Sequence, residues 1–282
     1  MQKLQLLSIL AFILVLSACS PTGETLPTTT PTQALQAKET IPQPTPTQRQ
    51  PTSTPTLIPT VTPQTFSVSS PLEGETFESL PAILSKPLDI PPFGADTGHH
   101  GLDFAYFRRS DRESIQGIEI YSMLDGKTVL TLEDVFPYGY TILVETPFSM
   151  LPEVWQAMLF ELYQPVPDDP GYRLYCPAVT PPELTGEYSL YILYAHMETK
   201  PDFNPGDPIT SGQLLGTVGN SGYSSNPHLH LELRIGPSGA NFTTMAHYQN
   251  TVTEKQMSNY CLWRMSGYYQ LFDPFILLSV SP

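Results

Sequence analysis

The segment Asn220-Ser-Gly-Tyr-Ser-Ser-Asn-Pro-His-Leu-His-Leu-Glu-Leu233 begins with turn-forming residues and ends in an apolar, β-favouring run. Near its end stands His228-Leu229-His230, two histidines separated by one residue. Residues i and i+2 of a β-strand point to the same face of a sheet. The segment therefore predicts a strand that directs both imidazole rings into one space.

Two further histidine-bearing motifs precede this segment. Gly98-His-His-Gly-Leu-Asp103 places His99 and Asp103 on either side of a glycine, and Tyr194-Ala-His196 ends an apolar run. Each motif alone is weak evidence, because histidine pairs and glycine turns are common. Together, in this order, they resemble the LytM/lysostaphin-type zinc endopeptidases of peptidase family M23, which cut peptide bonds in the bacterial cell wall.

The resemblance implies a metal site. The family pattern His-x-Gly-x-Asp falls on His99 and Asp103, and the second histidine of the family's His-x-His falls on His230. These three residues are expected to bind one Zn²⁺ per domain and to leave a fourth position for water. His100 could replace His99 as a ligand, although it stands at the family's variable position.

The resemblance also implies two catalytic residues, His196 and His228. One of them would accept the proton of the attacking water, and both could stabilise the developing oxyanion. Which histidine has which role cannot be distinguished from the sequence.

The folded part is predicted to be mainly β, an antiparallel sheet of the LytM type with one inserted, helix-containing segment. Short β-rich segments separated by Gly and Pro support this prediction. They are Gly117–Ser122, Lys127–Leu132, Tyr140–Glu145, Tyr188–Tyr194, Gly212–Val218 and His228–Ile235.

One helix is predicted from Pro152 to Tyr163, with an apolar stripe that runs from Val154 to Leu162. It lies within residues 147–187, between two strands that usually follow each other closely in the family. This segment is therefore interpreted as an insertion. It is either a surface element whose helix covers one face of the sheet, or a lid or wall of the substrate groove.

The first 18 residues predict a lipoprotein signal peptide, with a basic start, a short apolar core and small residues at its end. Leu16-Ser-Ala-Cys19 resembles the bacterial lipobox, so Cys19 is the expected lipid attachment site, with an ordinary signal peptide as the alternative. Residues 19–65 are rich in Pro and Thr and predict a disordered tether. The M23-type peptidase domain is assigned to residues 66–282.

The net charge bears on the class of binding partner, and the cysteine content bears on disulfide formation. The formal net charge is −14, which argues against a nucleic-acid partner because such binding needs a basic surface. With Cys19 assigned to lipid, Cys176 and Cys261 remain of the three cysteines. An even pair in an exported protein predicts a disulfide, with two separate buried thiols as the alternative.

The expected function is a zinc endopeptidase of the cell envelope, anchored to the membrane by its N-terminal lipid on the extracytoplasmic side. Its expected substrates are peptidoglycan cross-bridges or stem peptides. The alternative is a non-catalytic LytM-type module that binds peptidoglycan or activates another wall hydrolase. A zinc peptidase or esterase with other substrates is a third hypothesis. The presence of all five site residues favours an active enzyme.

Overall fold

The computed structural model describes residues 66–106 and 114–278. Its strands are β1 Leu84–Lys86, β2 Leu102–Phe104, β3 Glu119–Tyr121, β4 Gly126–Leu132, β5 Tyr140–Pro147, β6 Tyr188–Met197, β7 Pro208–Ile209, β8 Leu214–Thr217, β9 Leu229–Pro237 and β10 Gln270–Leu271. Its α-helices are α1 Glu153–Leu162, α2 Glu254–Arg264 and α3 Pro274–Leu278. Single 3-10 turns occupy Leu80–Ile83 and Phe148–Met150.

Eight strands form one antiparallel sheet in the order β1-β2-β9-β6-β5-β4-β7, with β10 paired to β9. Strands β3 and β8 form a separate two-stranded sheet. The prediction of a mainly antiparallel β fold is confirmed, and each predicted β-rich segment contains a strand. Strands β1, β2, β7 and β10 were missed, since two or three residues are too few for a period-2 pattern to show.

The large sheet is buried on both faces. On β6, Leu190 and Ile192 point into one apolar cluster, whereas Tyr191 and Leu193 point into another. A strand covered on both sides has no polar face, which explains why β6 reads as a continuous apolar run instead of an alternating one. The central strands are therefore rigidly enclosed, and they carry most of the candidate site residues.

Helix α1 covers the face of the sheet to which Leu190 and Ile192 point, whose apolar cluster is called the first cluster below. This placement is expected if the insertion is a surface element. Trp155 and Leu159 are fully buried in the first cluster, and Met158 and Leu162 pack against it. The predicted stripe is wrong at Val154, whose side chain is half exposed. The helix begins after Pro152, at Glu153.

Helix α2 covers the opposite face, and the sequence interpretation missed it. Tyr260 and Trp263 are buried with Tyr191 in the apolar cluster on that face, called the second cluster below. A capping box begins the helix: Thr253 Oγ1 accepts from the Gln256 backbone N–H at 3.3 Å, and the Gln256 side chain accepts from the Thr253 N–H at 2.9 Å. The pattern Thr-x-x-Gln was the available signal for this helix.

The second half of the insertion is tied to α2 and the loop before it. Cys176 and Cys261 form a disulfide with a Cα–Cα distance of 6.0 Å, the pairing that the sequence suggested. Nearby, His247 Nε2 donates to the Tyr175 carbonyl at 2.8 Å, and Ser258 Oγ donates to the Ala178 carbonyl at 2.8 Å. These bonds hold the segment along the surface of the domain.

The assigned signal peptide (1–18), Cys19 and the tether (19–65) lie outside the described residues, so these assignments and the domain boundaries stay predictions. Within residues 66–106 and 114–278, no helix has the length and apolar character needed to cross a bilayer.

Candidate metal centre

Three neighbouring strands, β2, β9 and β6, bring the histidine motifs together. Asp103 on β2 pairs with His230 on β9, and Ala195 on β6 pairs with His230 from the other side. His196 follows Ala195 directly. His99 precedes β2 and is fixed by two backbone hydrogen bonds to Asp89. Residues far apart in sequence thus meet because of strand register.

Three side-chain atoms converge on one point between these strands. His99 Nε2 lies 3.0 Å from Asp103 Oδ1 and 3.2 Å from His230 Nδ1. His230 Nδ1 lies 2.8 Å from Asp103 Oδ1. All three residues are buried, so few waters compete for these donor atoms.

Gly98 and Gly101 permit this close approach. A Cβ at Gly98 would lie 2.3 Å from the Asp89 carbonyl oxygen, and the residue has φ +76°. A Cβ at Gly101 would lie 2.6 Å from the Leu231 carbonyl oxygen and 2.9 Å from the His230 ring. The glycine of the His-x-Gly-x-Asp motif therefore leaves the room that the His230 ring occupies.

The remaining ring nitrogens assign the tautomers. His99 Nδ1 lies 2.8 Å from the Pro87 carbonyl, which can only accept a hydrogen bond. His230 Nε2 lies 3.2 Å from Glu232 Oε1. A neutral His99 therefore carries its proton on Nδ1. His230 contacts a carboxylate through each nitrogen, so with a metal at Nδ1 its remaining proton would sit on Nε2, beside Glu232. Two neutral imidazoles and one carboxylate fit Zn²⁺.

Electrostatics support the charge state that a cation requires. Burial raises the pKa of Asp103, but hydrogen bonds from His228, His230 and His99 outweigh it and hold this pKa well below its usual range. Burial lowers the pKa of His230, but hydrogen bonds to Asp103 and Glu232 outweigh it and raise this pKa to about 9. Asp103 is therefore a carboxylate, and a metal would displace a proton from His230.

His196 and His228 stand together beside this group, with ring centroids 4.7 Å apart. His196 Nδ1 donates to the Ser221 carbonyl at 2.8 Å, and His228 Nδ1 donates to the Asn226 carbonyl at 2.8 Å. In the neutral rings the lone pairs are then on Nε2; His228 Nε2 also lies 3.4 Å from Asp103 Oδ1, to which it donates when both of its nitrogens carry protons. His196 has φ 60°, a conformation that side chains rarely adopt and that is often retained at functional sites.

Burial lowers the pKa of His196 to about 3, with further lowering from His230 and His228. The ring is therefore neutral at pH 7, with its Nε2 lone pair unprotonated. This is the state that a general base requires before it acts.

The structure also brings a second trio within reach of a single cation, formed by His196, His228 and His230. Like the trio of His99, Asp103 and His230, its donor atoms all lie within 4.8 Å of one another. Only the set with Asp103 supplies an anionic ligand, which offsets part of the charge of a divalent ion. That set is therefore the better candidate for the metal ligands.

His100 does not join either trio. It is fully buried, and its Nδ1 accepts a hydrogen bond from Arg234 at 3.0 Å. Its Nε2 lies 3.6 Å from Asp96 Oδ1. The alternative in which His100 replaces His99 as a ligand therefore finds no support in the geometry.

The site opens into a cleft of about 870 Å³. Aromatic side chains form one wall: Phe136 stacks against Tyr223 at 4.9 Å and against Tyr248 at 5.7 Å. No described residue of the 147–187 insertion lines this cleft. The hypothesis of a lid or groove wall is thus unsupported, and the described contacts of the insertion include α2 and the loop before it.

Glu232 was missed by the sequence interpretation, although a signal for it existed. It stands two residues after His230, so the period-2 pattern of β9 places both side chains on one face. It is fully buried next to the candidate ligand. A charged residue in a largely apolar strand, two residues after a candidate ligand, was the signal for a partner of His230.

Comparison with known proteins gives one family match and several structural ones. Residues 183–252 match the family model described as peptidase family M23. The matched segment contains His196, His228 and His230, whereas His99 and Asp103 lie before it. No curated protein is significantly similar to the chain.

Three solved structures illustrate the similarity in fold. The lysostaphin catalytic domain from Staphylococcus simulans is 19% identical, with 70% of this chain and 91% of that chain covered and a TM-score of 0.35. The catalytic domain of the prophage-encoded M23 protein EnpA from Enterococcus faecalis is 20% identical, with 57% and 87% covered and a TM-score of 0.32. A zinc-containing peptidase from Vibrio cholerae is 19% identical, with 60% and 33% covered and a TM-score of 0.29.

Because these TM-scores are low, the similarity to family M23 rests on the family-model match and not on the structural similarity. The match of residues 183–252 confirms the resemblance to peptidase family M23 that the histidine motifs indicated.

Proposed function

We propose that the domain is a zinc-dependent endopeptidase that hydrolyses peptide bonds in peptidoglycan cross-bridges or stem peptides. The observation that carries this proposal is the convergence of His99 Nε2, Asp103 Oδ1 and His230 Nδ1 within 2.8–3.2 Å of one another. Two more histidines, His196 and His228, stand beside them. The match to the M23 family supports the peptidase class.

The ligand set His99, Asp103 and His230 would hold the ion. A bound Zn²⁺ would supply Lewis acidity, which lowers the pKa of water and polarises a carbonyl. His196 or His228 would accept a proton from the attacking water at Nε2 and deliver it to the leaving amine. The protonated ring could also donate a hydrogen bond to the developing oxyanion. The new C–O bond forms first and gives a tetrahedral oxyanion; the C–N bond then breaks, and the proton ends on the amine.

The non-catalytic alternative is less well supported. A module that only binds peptidoglycan or activates another hydrolase does not need five converging residues with fixed tautomers. Buried histidines and a buried carboxylate are costly to retain unless they are paired or bind an ion. The arrangement at this site is therefore better explained by catalysis.

The anchoring and location are proposed on the sequence alone. A lipid on Cys19 and a Pro/Thr-rich tether over residues 19–65 would place the domain on the extracytoplasmic side of a membrane, within reach of the wall. Replacement of Cys19 by Ser is expected to abolish labelling by a radioactive or clickable fatty acid. Unchanged labelling of that variant would refute the lipid attachment site.

Digestion of purified peptidoglycan tests the proposed activity. Residues 66–282, loaded with one equivalent of zinc, are expected to release fragments whose masses report cleavage of glycyl, D-amino acid or diaminopimelate linkages. The matched control is the His196→Ala variant, prepared in the same way. If the wild-type protein releases nothing beyond this control but still binds peptidoglycan in pull-down, the non-catalytic alternative is correct.

A further inference from the structure

Glu232 is a buried carboxylate that the proposed reaction does not use. Its exposed fraction is 0%, and it accepts four hydrogen bonds. The donors are Tyr138 Oη at 2.8 Å, Arg234 Nε at 2.9 Å, Trp263 Nε1 at 3.1 Å and His230 Nε2 at 3.2 Å. Such a complete set of partners fixes the position of both carboxylate oxygens.

The charge of Glu232 is balanced inside the domain. Arg234 contacts it directly, and Arg264 NH1 lies 3.6 Å from Oε1. Two guanidinium groups and the indole N–H of Trp263 face Glu232, so the geometry is that of a charge-paired carboxylate. A buried carboxylate without such partners would be protonated. Glu232 is thus an anion that faces the ring edge of His230 opposite to Asp103.

Helix α2 holds this carboxylate from the other side. The indole N–H of Trp263 donates to Oε2, and the Trp263 carbonyl accepts from Arg234 NH1 at 2.9 Å. Trp263 itself is fully buried in the second apolar cluster. The helix therefore anchors both Glu232 and its main counter-ion.

We propose that Glu232 is a positioning residue for the metal centre: by accepting the Nε2 proton of His230, it leaves the Nδ1 lone pair of that ring available to a metal beside Asp103. A hydrogen bond from the outer nitrogen of a ligand histidine to a carboxylate orients the ring and increases its basicity. The role of this hydrogen bond in zinc binding rests on the proposed function. Helix α2, which is distant from β2 in the sequence, thereby sets the orientation of a metal ligand.

The sheet contains a matched control in Glu145. This residue on β5 is also fully buried, with its Oε1 accepting from Ser189 Oγ at 2.8 Å and the Gly239 N–H at 2.6 Å, and its Oε2 3.1 Å from Lys127. It does not line the cleft. Glu145→Gln and Glu232→Gln therefore make the same chemical change in equally buried sites of one sheet, and only the second touches a candidate ligand.

Zinc affinity of the mature chain, measured by competition with a chromophoric chelator, tests the proposal. Glu232→Gln is expected to weaken zinc binding about 10- to 100-fold. Glu145→Gln is expected to leave zinc affinity within about twofold of the wild type while lowering the thermal midpoint. Equal affinity of Glu232→Gln and wild type, or equal losses in both variants, would overturn the proposal.

A second measurement needs no variant and decides the question even if Glu232→Gln does not fold. In the zinc-loaded, ¹⁵N-labelled wild-type chain, His230 is expected to show its ring proton on Nε2 and zinc on Nδ1. Zinc on Nε2 would overturn the positioning role. Wild-type chain that binds no zinc or cleaves no wall peptide would instead refute the proposed function, so the two failures are distinguishable.

Discussion

Asp103 and His230 are direct partners across the antiparallel pair β2–β9, and their side-chain atoms Oδ1 and Nδ1 lie 2.8 Å apart. Strand register, and not a local motif, thus creates this contact between residues 127 positions apart. A shift of one residue would turn one of the two side chains to the opposite face of the sheet. The metal centre therefore depends on the correct pairing of an edge region with the sheet centre.

Replacement of a metal ligand is expected to remove zinc. His99→Ala, Asp103→Ala and His230→Ala each delete one of three donor atoms, so stoichiometric zinc should be lost together with activity. Metal analysis of the desalted protein measures this. The control is His247→Ala, since His247 is also buried but lies outside both trios. One equivalent of zinc retained in His99→Ala would favour the trio of three histidines instead.

Replacement of a catalytic histidine is expected to separate metal binding from turnover. His196→Ala and His228→Ala should keep one zinc and the wild-type fold but lose about 10²–10⁴ in kcat, the usual contribution of a general base or oxyanion donor. Steady-state kinetics on a defined wall peptide and metal analysis of the same samples give both quantities. Zinc loss in either variant would show that ligand and catalyst are interchanged.

Gly101→Ala is expected to disrupt the site through packing alone. Its new methyl group would stand 2.6 Å from the Leu231 carbonyl oxygen and 2.9 Å from the His230 ring, so β2 and β9 must separate. We expect a loss of about 1–3 kcal/mol in unfolding free energy together with weaker zinc binding. Gly186→Ala is the comparison for backbone strain without crowding, because Gly186 has φ +85° and no atom lies within 4 Å of the added methyl group; it should lower stability but leave zinc binding unchanged. Urea unfolding and chelator competition that leave Gly101→Ala equal to wild type would contradict the close packing of these strands.

Removal of the disulfide is expected to destabilise the domain without altering the metal ligands. The bridge closes a loop of 85 residues, and loss of a native disulfide commonly costs about 2–5 kcal/mol. The variant with Cys176→Ser and Cys261→Ser should therefore unfold at lower urea concentration yet bind one zinc. Alkylation and mass analysis of the exported, non-reduced protein provide an independent check. Two freely alkylated thiols at these positions would show that the bridge does not form in the cell.

The sequence alone determined the fold class. β-rich runs and Gly/Pro punctuation revealed the longer strands, whereas the candidate roles of His99, Asp103, His196, His228 and His230 came from the resemblance of the three motifs to family M23 and stay predictions. Helix α1 was visible through its apolar stripe. These are local signals, and they need no knowledge of what the segments pack against.

Only the tertiary structure decided the contacts between distant segments. It left His100 outside both candidate ligand trios, with its Nδ1 accepting from Arg234. It placed Glu232 behind His230 and connected both to α2 through Trp263. It also held the insertion against α2 instead of over the cleft. Register, burial and hydrogen-bond partners arise when the strands and helices pack together, and the spacing of residues along one segment contains no record of them.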